Sequence, residues 1–258
     1  MQSKETYKNN KSSILEKYKK YNEGDSSDSS DDEDENKLSR NKEKMIRSSF
    51  YITYAFLMTT ATITFIEAIR TSDKKIRNIL NLETCISVVA AFFYGRFVGD
   101  IKNKEIEFKK INVIRYTDWA ITTPIMLLVL CLAFLYNTKG GALSFGSFLT
   151  ILILNYFMLL SGYAGETGRI GKTNANIIGF VFFALMYGFI YHKLLYKKYN
   201  FDNQMLFWAF VILWAGYGVL YEFNEITRNV GYNILDLLSK CFVGIFFWAY
   251  YAKVFKIP

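Results

Sequence analysis

A lysine and two aspartates lie inside stretches of this sequence that are otherwise apolar. Asp236 precedes Lys240 by one helical turn, while Asp118 lies in an earlier apolar run. Helical spacing brings Arg115 and Thr122 onto the face that carries Asp118. Charges at that depth of a bilayer cost at least ~2.5 kcal/mol each, and a buried lysine is most often paired or used as a Schiff base. The pattern therefore predicts an intramembrane functional site with carboxylate counterions.

The same apolar run contains a proline, Pro124, in the middle of a predicted membrane helix. A proline there leaves the carbonyl one turn earlier, that of Ala120, without its usual donor. Because a neighbouring hydroxyl can satisfy such a carbonyl, we expect Thr122 or Thr123 to bond to it.

Seven apolar segments can be marked, each near the ~20 residues that a helix needs to cross a bilayer. They lie at about residues 48–69, 80–98, 112–136, 143–165, 174–196, 204–223 and 229–254. The links between them are short. We therefore expect an all-α membrane protein, a seven-helix up-and-down bundle, as one domain over residues 47–258.

Residues 1–46 are charged and polar and include a low-complexity acidic run at 25–35. Such a segment cannot bury enough apolar surface to order itself, so a disordered tail is predicted. No cleavable signal peptide is visible, and the first membrane helix is expected to act as the insertion signal.

Basic residues favour one side of the predicted bundle, which places the N-terminus outside and the C-terminus in the cytoplasm. These residues follow the odd-numbered segments: Arg70, Lys74, Lys75, Arg77, Lys139, Lys197, Lys198, Lys253 and Lys256.

The chain has 258 residues, 52% hydrophobic, with a formal net charge of +8. We assign that charge to lipid headgroups and topology and expect no nucleic-acid partner. Cys85, Cys131 and Cys241 all fall within apolar runs without metal-ligand spacing, so no metal site is predicted. A homo-oligomer is left open, and enzymatic activity is not expected.

Taken together, the motifs resemble those of the microbial (type 1) rhodopsins. The third helix of that family carries Arg-x-x-Asp-Trp-x-x-Thr-x-Pro, and the seventh carries Asp-x-x-x-Lys. Both patterns occur here in that order, at 115–124 and 236–240, and the resemblance covers roughly residues 47–257. Residues 49–54 and 81–87 look similar to the giant-virus branch, whose members include light-gated cation channels.

This resemblance implies all-trans retinal bound covalently to Lys240 as a protonated Schiff base. Asp118 would be its counterion and proton acceptor and Asp236 a second counterion, with Arg115 holding both ionised. Further retinal contacts implied by the family pattern are Trp119, Thr123, Met126, Met158, Gly162, Trp214, Tyr217 and Tyr221. A buried salt-bridge network without a chromophore is the alternative, but it leaves Lys240 unexplained.

Two further positions follow from the comparison with the family pattern. Gly218 stands where the family usually has a proline, so a roomier and more deformable sixth helix is expected. The fifth helix offers no unambiguous pocket residue. Its lone histidine, His192, is expected at the membrane interface rather than in a proton relay.

Departures from the family pattern bear on transport. Val129 and Arg228 replace the inner and outer carboxylates that are typical of proton pumps of this family. Polar residues instead mark helices 1, 2 and 7: Glu67, Glu83, Ser87, Asn233 and Ser239. Because acidic residues along a polar path favour cations, we expect a light-gated cation channel. An outward proton pump is the alternative, and a sensory rhodopsin acting through a partner is a third.

Glu83 is the residue at which these alternatives separate. It lies in the inner part of the second helix, one turn before Ser87. It would act as a cytoplasmic cation gate in a channel or as a relocated proton donor in a pump. A third reading is that its side chain only snorkels to the interface.

Replacing Lys240 with Ala is expected to abolish visible absorbance while leaving an inserted protein, because the covalent bond shifts retinal absorption into the visible range. Absorption spectra of the purified variant with added retinal test this. A remaining long-wavelength band would contradict the assignment of Lys240.

Overall fold

Seven helices make up most of the chain that the structure describes. This computed structural model describes residues 40–102, 106–196 and 198–252. The helices are α1 Arg40–Arg70, α2 Lys74–Lys102, α3 Phe108–Asn137, α4 Phe145–Glu166, α5 Lys172–Leu195, α6 Phe201–Tyr221 and α7 Glu225–Tyr251. Each is long and apolar enough to cross a membrane, and the described ranges contain no strand. The predicted seven-helix membrane fold is confirmed.

At the N-terminus, α1 begins earlier than the apolar pattern suggested. Residues 40–46, which we had included in the disordered tail, are already helical. Charged residues extend the helix beyond its apolar part, and hydropathy alone does not detect such an extension. The rest of the predicted tail, residues 1–39, lies outside the described residues, as do Lys197, Lys253 and Lys256.

Side-chain caps define where several helices begin. Asp73, Asn200 and Asn224 each accept a backbone N–H two or three residues further on, at 2.8–3.0 Å. These bonds satisfy N–H groups that have no partner inside the helix. The N–H of Lys75 also lowers the pKa of the Asp73 carboxyl, because it stabilises the ionised form.

The helices differ in how much of their surface is buried. In the most apolar 18-residue stretch of α3, 56% of the residues are buried inside the protein. In the corresponding stretches of α4 and α5 the share is 17%. Large apolar side chains project outward from α4 and α5, including Phe157, Leu160 and Val181. Since helices that are apolar all round suit a lipid environment, α3 occupies the interior and α4 and α5 face the membrane.

Helix α1 is joined to its neighbours by buried hydroxyl groups. The Thr53 hydroxyl donates to the Asn233 carbonyl of α7 at 3.2 Å, and the Thr64 and Thr84 hydroxyls of α1 and α2 lie 2.8 Å apart. Such bonds avoid leaving polar atoms unpaired in the membrane interior. The contact of α1, α2 and α7 is therefore a polar seam.

The proline of α3 is accommodated by a neighbouring helix and not by the expected threonines. Thr122 and Thr123 donate to the carbonyls one turn before them, at 2.9 and 2.7 Å. The Ala120 carbonyl instead accepts the Tyr156 hydroxyl of α4 at 3.2 Å. The expectation was wrong because each threonine reaches only its own preceding turn, which leaves the carbonyl opposite Pro124 to α4.

Replacing Tyr156 with Phe is expected to lower stability by about 0.6–1.7 kcal/mol, because it removes a hydrogen bond between membrane helices. Thermal unfolding of the detergent-solubilised protein measures this. Tyr51→Phe is a matched control on α1, since that hydroxyl bonds to no described residue. Equal melting curves for the two variants would contradict a role for Tyr156.

Candidate functional site

Lys240 lies in a π-helical segment, Leu237–Phe242, that interrupts α7 directly after Asp236. No residue pattern in the sequence indicates this change of winding. Short π insertions are frequent at functional sites, although a second one, Tyr191–Leu195, lies in α5 away from Lys240.

The Lys240 side chain is 2% exposed and lies between two buried carboxylates. Its Nζ donates to Asp118 Oδ2 at 2.8 Å and lies 3.2 Å from Asp236 Oδ1. Both aspartates are buried, so three ionisable groups meet away from water. Removing one partner of such a buried pair costs about 3–5 kcal/mol, so the geometry depends on all three groups.

The two carboxylates have unequal surroundings. Asp236 accepts hydrogen bonds from Tyr94 and Tyr217, each at 2.7 Å. Asp118 Oδ1 has no hydrogen-bond partner among the described residues, although it is buried. Asp236 is therefore fixed as an anion by phenol donors, whereas Asp118 has an oxygen free to take a proton.

Arg115 points to α7 and not to Asp118. It donates to Asn233 Oδ1 and to the Tyr94 hydroxyl, and its nearest carboxylate is Asp236, at 3.6 Å. Within the described chain no ion pair joins Arg115 and Asp118. Arg115 therefore pairs directly with Asp236 alone, and its expected role in holding both aspartates ionised stays a prediction.

Aromatic rings enclose this guanidinium group. Its central carbon lies 5.2–5.7 Å from four ring centroids, those of Phe50, Tyr94, Phe97 and Tyr232. Rings at this range attract a cation through their negative faces. They therefore compensate part of the hydration that Arg115 has lost.

A cavity of about 110 Å³ extends from Lys240 between α3, α4, α5 and α6. All eight further residues predicted to contact retinal line it: Trp119, Thr123, Met126, Met158, Gly162, Trp214, Tyr217 and Tyr221. The lining is mostly aromatic or aliphatic, and Lys240 is part of it. A long apolar molecule with one reactive carbonyl fits this arrangement.

Sequence reasoning missed the α5 side of the cavity, which is formed by Asn176, Gly179, Phe180 and Phe183. No sequence signal singles them out, because aromatic residues are 18% of the chain. The extra room expected at Gly218 is taken by Phe180, whose ring carbons would lie 2.6 and 2.7 Å from a Cβ at that glycine. The expectation of a roomier wall was therefore wrong.

Trp119 is held in the cavity wall by edge contacts. Its ring centroid lies 5.5 Å from that of Tyr217 and 5.3 Å from that of Tyr232, both at near-perpendicular angles. Such T-shaped pairs add to the energy of burial and fix ring orientation. The indole is therefore a rigid part of the site.

Glu83 lies in the polar seam and is 2% exposed. A Cβ placed on Gly244 would lie 3.1 Å from its Oε2 and 2.9 Å from Thr60 Cγ2, so the carboxyl packs against α7. No lysine or arginine of the described residues lies within 4.0 Å of it. The snorkelling interpretation is therefore wrong.

The other polar residues of helices 1, 2 and 7 do not form one continuous path. Asn233 belongs to the Arg115 site, and the Ser239 hydroxyl lies 2.9 Å from that of Tyr217. The Glu67 carboxylate lies 3.7 Å from the Arg70 guanidinium, at the C-terminal end of α1. Val129, where pumps carry an inner carboxylate, is fully buried in the apolar core.

At the N-terminal end of α7, carboxylates surround Arg228, the arginine that replaces the expected acid. Arg228 pairs with Glu166 at 3.1 Å and with Glu225 at 2.6 Å, and the amide of Asn112 donates to both glutamates. Arg228 is buried, while the Glu225 side chain is 47% exposed. Position 228 therefore carries no acid, but the fold places two glutamates, Glu166 and Glu225, next to it.

His192 is exposed near the C-terminal end of α5, where its ring stacks on that of Tyr196 with centroids 5.9 Å apart. The ring lies far along the chain from the Lys240 cluster and makes no contact with it. Its interfacial role remains a prediction.

Comparison with known proteins identifies similar chains. A model of the family described as "Bacteriorhodopsin-like protein" matches residues 45–254. A green-light absorbing proteorhodopsin of Gamma-proteobacterium EBAC31A08 is 24% identical over 222 residues, covering 78% of this chain and 84% of its own. Opsin-1 of Neurospora crassa is 29% identical over 151 residues, covering 52% and 47%.

Solved structures of rhodopsins are also similar to this chain. The crystal structure of viral rhodopsin OLPVRII is 55% identical, covers 82% of this chain and 99% of that one, and has a TM-score of 0.77. A blue light-absorbing proteorhodopsin from Med12 is 23% identical with a TM-score of 0.66, over 81% and 98% of the chains. The second likeness shows the fold alone.

Replacing Asp118 with Asn is expected to shift the absorption band to the red, because it removes a negative charge that stabilises the charged Lys240 nitrogen in the ground state. It should also abolish proton transfer from that nitrogen, since Asp236 is already saturated with donors. Absorption spectra and flash photolysis measure both effects. An unchanged band and normal transfer would mean that Asp236 acts alone.

Proposed function

The chain belongs to the bacteriorhodopsin-like family of microbial rhodopsins, and from that premise we propose that it moves protons outward across the membrane in response to light. Members of the family bind retinal and are photoreceptors and ion transporters. The membrane-spanning fold means that the protein works within lipid. The covalent link to Lys240, the all-trans isomer and an extracellular N-terminus are parts of the proposal.

Retinal bound at Lys240 supplies a light-driven isomerisation that changes the proton affinity of the Lys240 nitrogen. In the proposal, the proton leaves Nζ for Asp118, which already accepts its hydrogen bond at 2.8 Å. Asp236 stays ionised because two tyrosine hydroxyls bond to it. The difference between the two aspartates therefore gives the transfer its direction.

The burial of Glu83 is the observation that favours protons, and not other cations, as the transported ion. An ionised carboxylate without water or a cation partner is costly in the membrane interior, so such a group retains its proton. A proton-bearing acid suits reprotonation of Lys240. A cation gate, by contrast, needs a fixed charge that stays ionised, and the surroundings of Glu83 do not favour one.

Glu83 also lies on the inner side of Lys240. Its carboxyl packs against Gly244, which follows Lys240 by about one turn of α7. Since α7 runs inward from its start, the acid is about one helical turn deeper than the lysine. Glu83 would thus replace the inner donor that pumps carry at the position of Val129.

On the outer side, the Glu166–Arg228–Glu225 cluster would receive the proton after Asp118. Two carboxylates against one arginine leave the cluster with one excess negative charge, and Glu225 reaches solvent. This arrangement suits proton release to the outside. Glu166 and Glu225 would thus take the place of the outer acid that is absent at position 228.

A light-gated cation channel, favoured by the sequence pattern, remains the second candidate. The polar seam of α1, α2 and α7 favours it, because buried hydroxyls and an acid lie along one helix contact. In that case Glu83 would control the inner mouth. A sensory role is a third possibility within the family.

Voltage-clamp recording of photocurrents separates the first two candidates. The pump proposal expects an outward current at every membrane potential, because each photocycle moves charge in one direction. A current that reverses near an ionic equilibrium potential would overturn the proposal and establish a channel.

Replacing Glu83 with Gln is expected to slow reprotonation of the Lys240 nitrogen by roughly 10²-fold, since the general acid is lost. Added azide, a small diffusible acid, should restore the rate. Time-resolved absorption after a flash measures this. Glu67→Gln is the matched control and should behave as wild type, because that acid pairs with Arg70. Wild-type kinetics in Glu83→Gln would remove Glu83 as donor.

A further inference from the structure

A second cavity, of about 360 Å³, lies at the end of the bundle where α2 begins and α3 ends. Its walls come from the first turns of α2, within residues 75–79, and from the last turns of α3, within residues 132–136. The loop that joins α3 to α4 covers it with residues 140–143, so we call it the loop cavity. None of the described residues lines both this cavity and the one at Lys240. The loop cavity is therefore a separate space in the fold.

The loop covers this space partly with glycine main chain. Gly140 lies tightly against α3, because a Cβ there would come within 2.8 Å of Leu135 Cδ2. A Cβ on Gly141, in contrast, would meet no described atom within 4 Å. Gly141 therefore borders open space that no side chain of the described protein fills.

The polarity of the lining changes with depth in the membrane. Lys75 is the second residue of α2 and Asn78 lies one turn later, and both exposed side chains form the rim of the loop cavity. Leu132 lies more than one turn inside the end of α3 and is partly buried. A phospholipid in a bilayer has the same order, with a polar headgroup at the surface and acyl chains below it. The loop cavity is therefore amphipathic in the direction in which a lipid lies.

Both walls of the loop cavity continue into surfaces that face lipid. On α2, Asn78 shares a face with the exposed Phe92, since fourteen residues make about four turns. On α3, Leu132 shares a face with the exposed Ile121, since eleven residues make about three turns. The apolar part of the cavity is therefore continuous with the zone that acyl chains occupy.

Positive charges are in excess at the rim of the loop cavity. Lys74 and Lys75 begin α2, and Lys139 directly precedes the glycines of the loop. No carboxylate of the described residues lies within 4.0 Å of these three amino groups. The neighbouring carboxylate of Asp73 already accepts the Lys75 backbone N–H at 2.8 Å and the Tyr136 hydroxyl at 3.3 Å. The rim therefore attracts anionic headgroups.

We propose that the loop cavity binds an anionic phospholipid, with the phosphate at Lys75 and Asn78 and an acyl chain along Leu132. The lysine supplies a positive charge, and the Asn78 amide supplies a hydrogen-bond donor beside it. A phospholipid fits better than a soluble anion, because the floor of the cavity is apolar and opens onto the lipid-facing sides of α2 and α3. This site is independent of the direction in which the protein moves protons.

Native mass spectrometry of the retinal-bound protein in detergent measures the lipids that stay bound. Phosphatidylglycerol should bind about fivefold more tightly than phosphatidylcholine with the same acyl chains, because one lysine near a membrane surface favours an anionic lipid by that factor. Glycerol phosphate, which has the same anionic group without acyl chains, should not displace the lipid. Equal binding of the two lipids, or displacement by glycerol phosphate, would overturn the proposal.

Replacing Lys75 with Gln should weaken the phosphatidylglycerol complex about fivefold, since one positive charge is lost, and should leave the phosphatidylcholine complex unchanged. Lys193→Gln is the matched control, because it removes an exposed lysine of α5 that lines neither cavity. The same loss of affinity in both variants would mean that surface charge in general attracts the lipid, which contradicts a site at the loop cavity.

Filling the cavity separates binding of the lipid inside it from attraction of its charge. Gly141→Leu keeps every charge and adds a side chain in open space, so it should weaken phosphatidylglycerol binding about as much as Lys75→Gln does. Gly188→Leu is the control on the exposed surface of α5, where a Cβ also meets nothing within 4 Å. If melting curves show that Gly141→Leu is unfolded, Ala142→Leu at the next lining position replaces it. Wild-type lipid affinity in the filled cavity would overturn the proposal.

Discussion

The structure depends on the neutralisation of a buried charge cluster by its own members. Lys240 and Arg115 bring two positive charges, and Asp118 and Asp236 bring two negative ones, all within the membrane interior. None of these groups is tolerable alone at that depth, because a single unpaired charge has neither water nor a partner. The cluster joins α3 and α7, so the helices that carry it have to be adjacent. Their packing is therefore determined by electrostatics as much as by apolar contact.

The arrangement around this cluster is asymmetric, and that asymmetry gives the site its chemistry. Tyr94, Tyr217 and Arg115 all contact Asp236. Among the described residues, the Asp118 carboxylate accepts a hydrogen bond only from Lys240, and the hydroxyl of Thr122 bonds to the backbone carbonyl of Asp118. A saturated carboxylate holds its charge, while an unsaturated one can change protonation state. Under the proposed function, Asp236 would stabilise the cation and Asp118 would accept its proton.

Much of the fold and site could be predicted from the sequence, because hydropathy and short spacing are local properties. The seven segments, Lys240 and the two aspartates followed from apolar runs and one-turn spacings. The direction of the Arg115 side chain did not, since it depends on Asn233, which is distant in sequence but adjacent across the α3–α7 contact. The pairing of Glu166 with Arg228 and the π turn at Lys240 were missed for the same reason. In each case tertiary packing decides, and no local pattern records it.

The hydrogen bond from Tyr156 to the Ala120 carbonyl links the interior to the surrounding bilayer. Tyr156 is 41% exposed on α4, the helix whose surface mostly faces lipid, and Ala120 lies two residues after Asp118. The bond therefore joins a lipid-facing side chain of α4 to the turn of α3 that contains Pro124. A change in the lipid around α4 therefore has a hydrogen-bonded route to the part of α3 that carries Asp118.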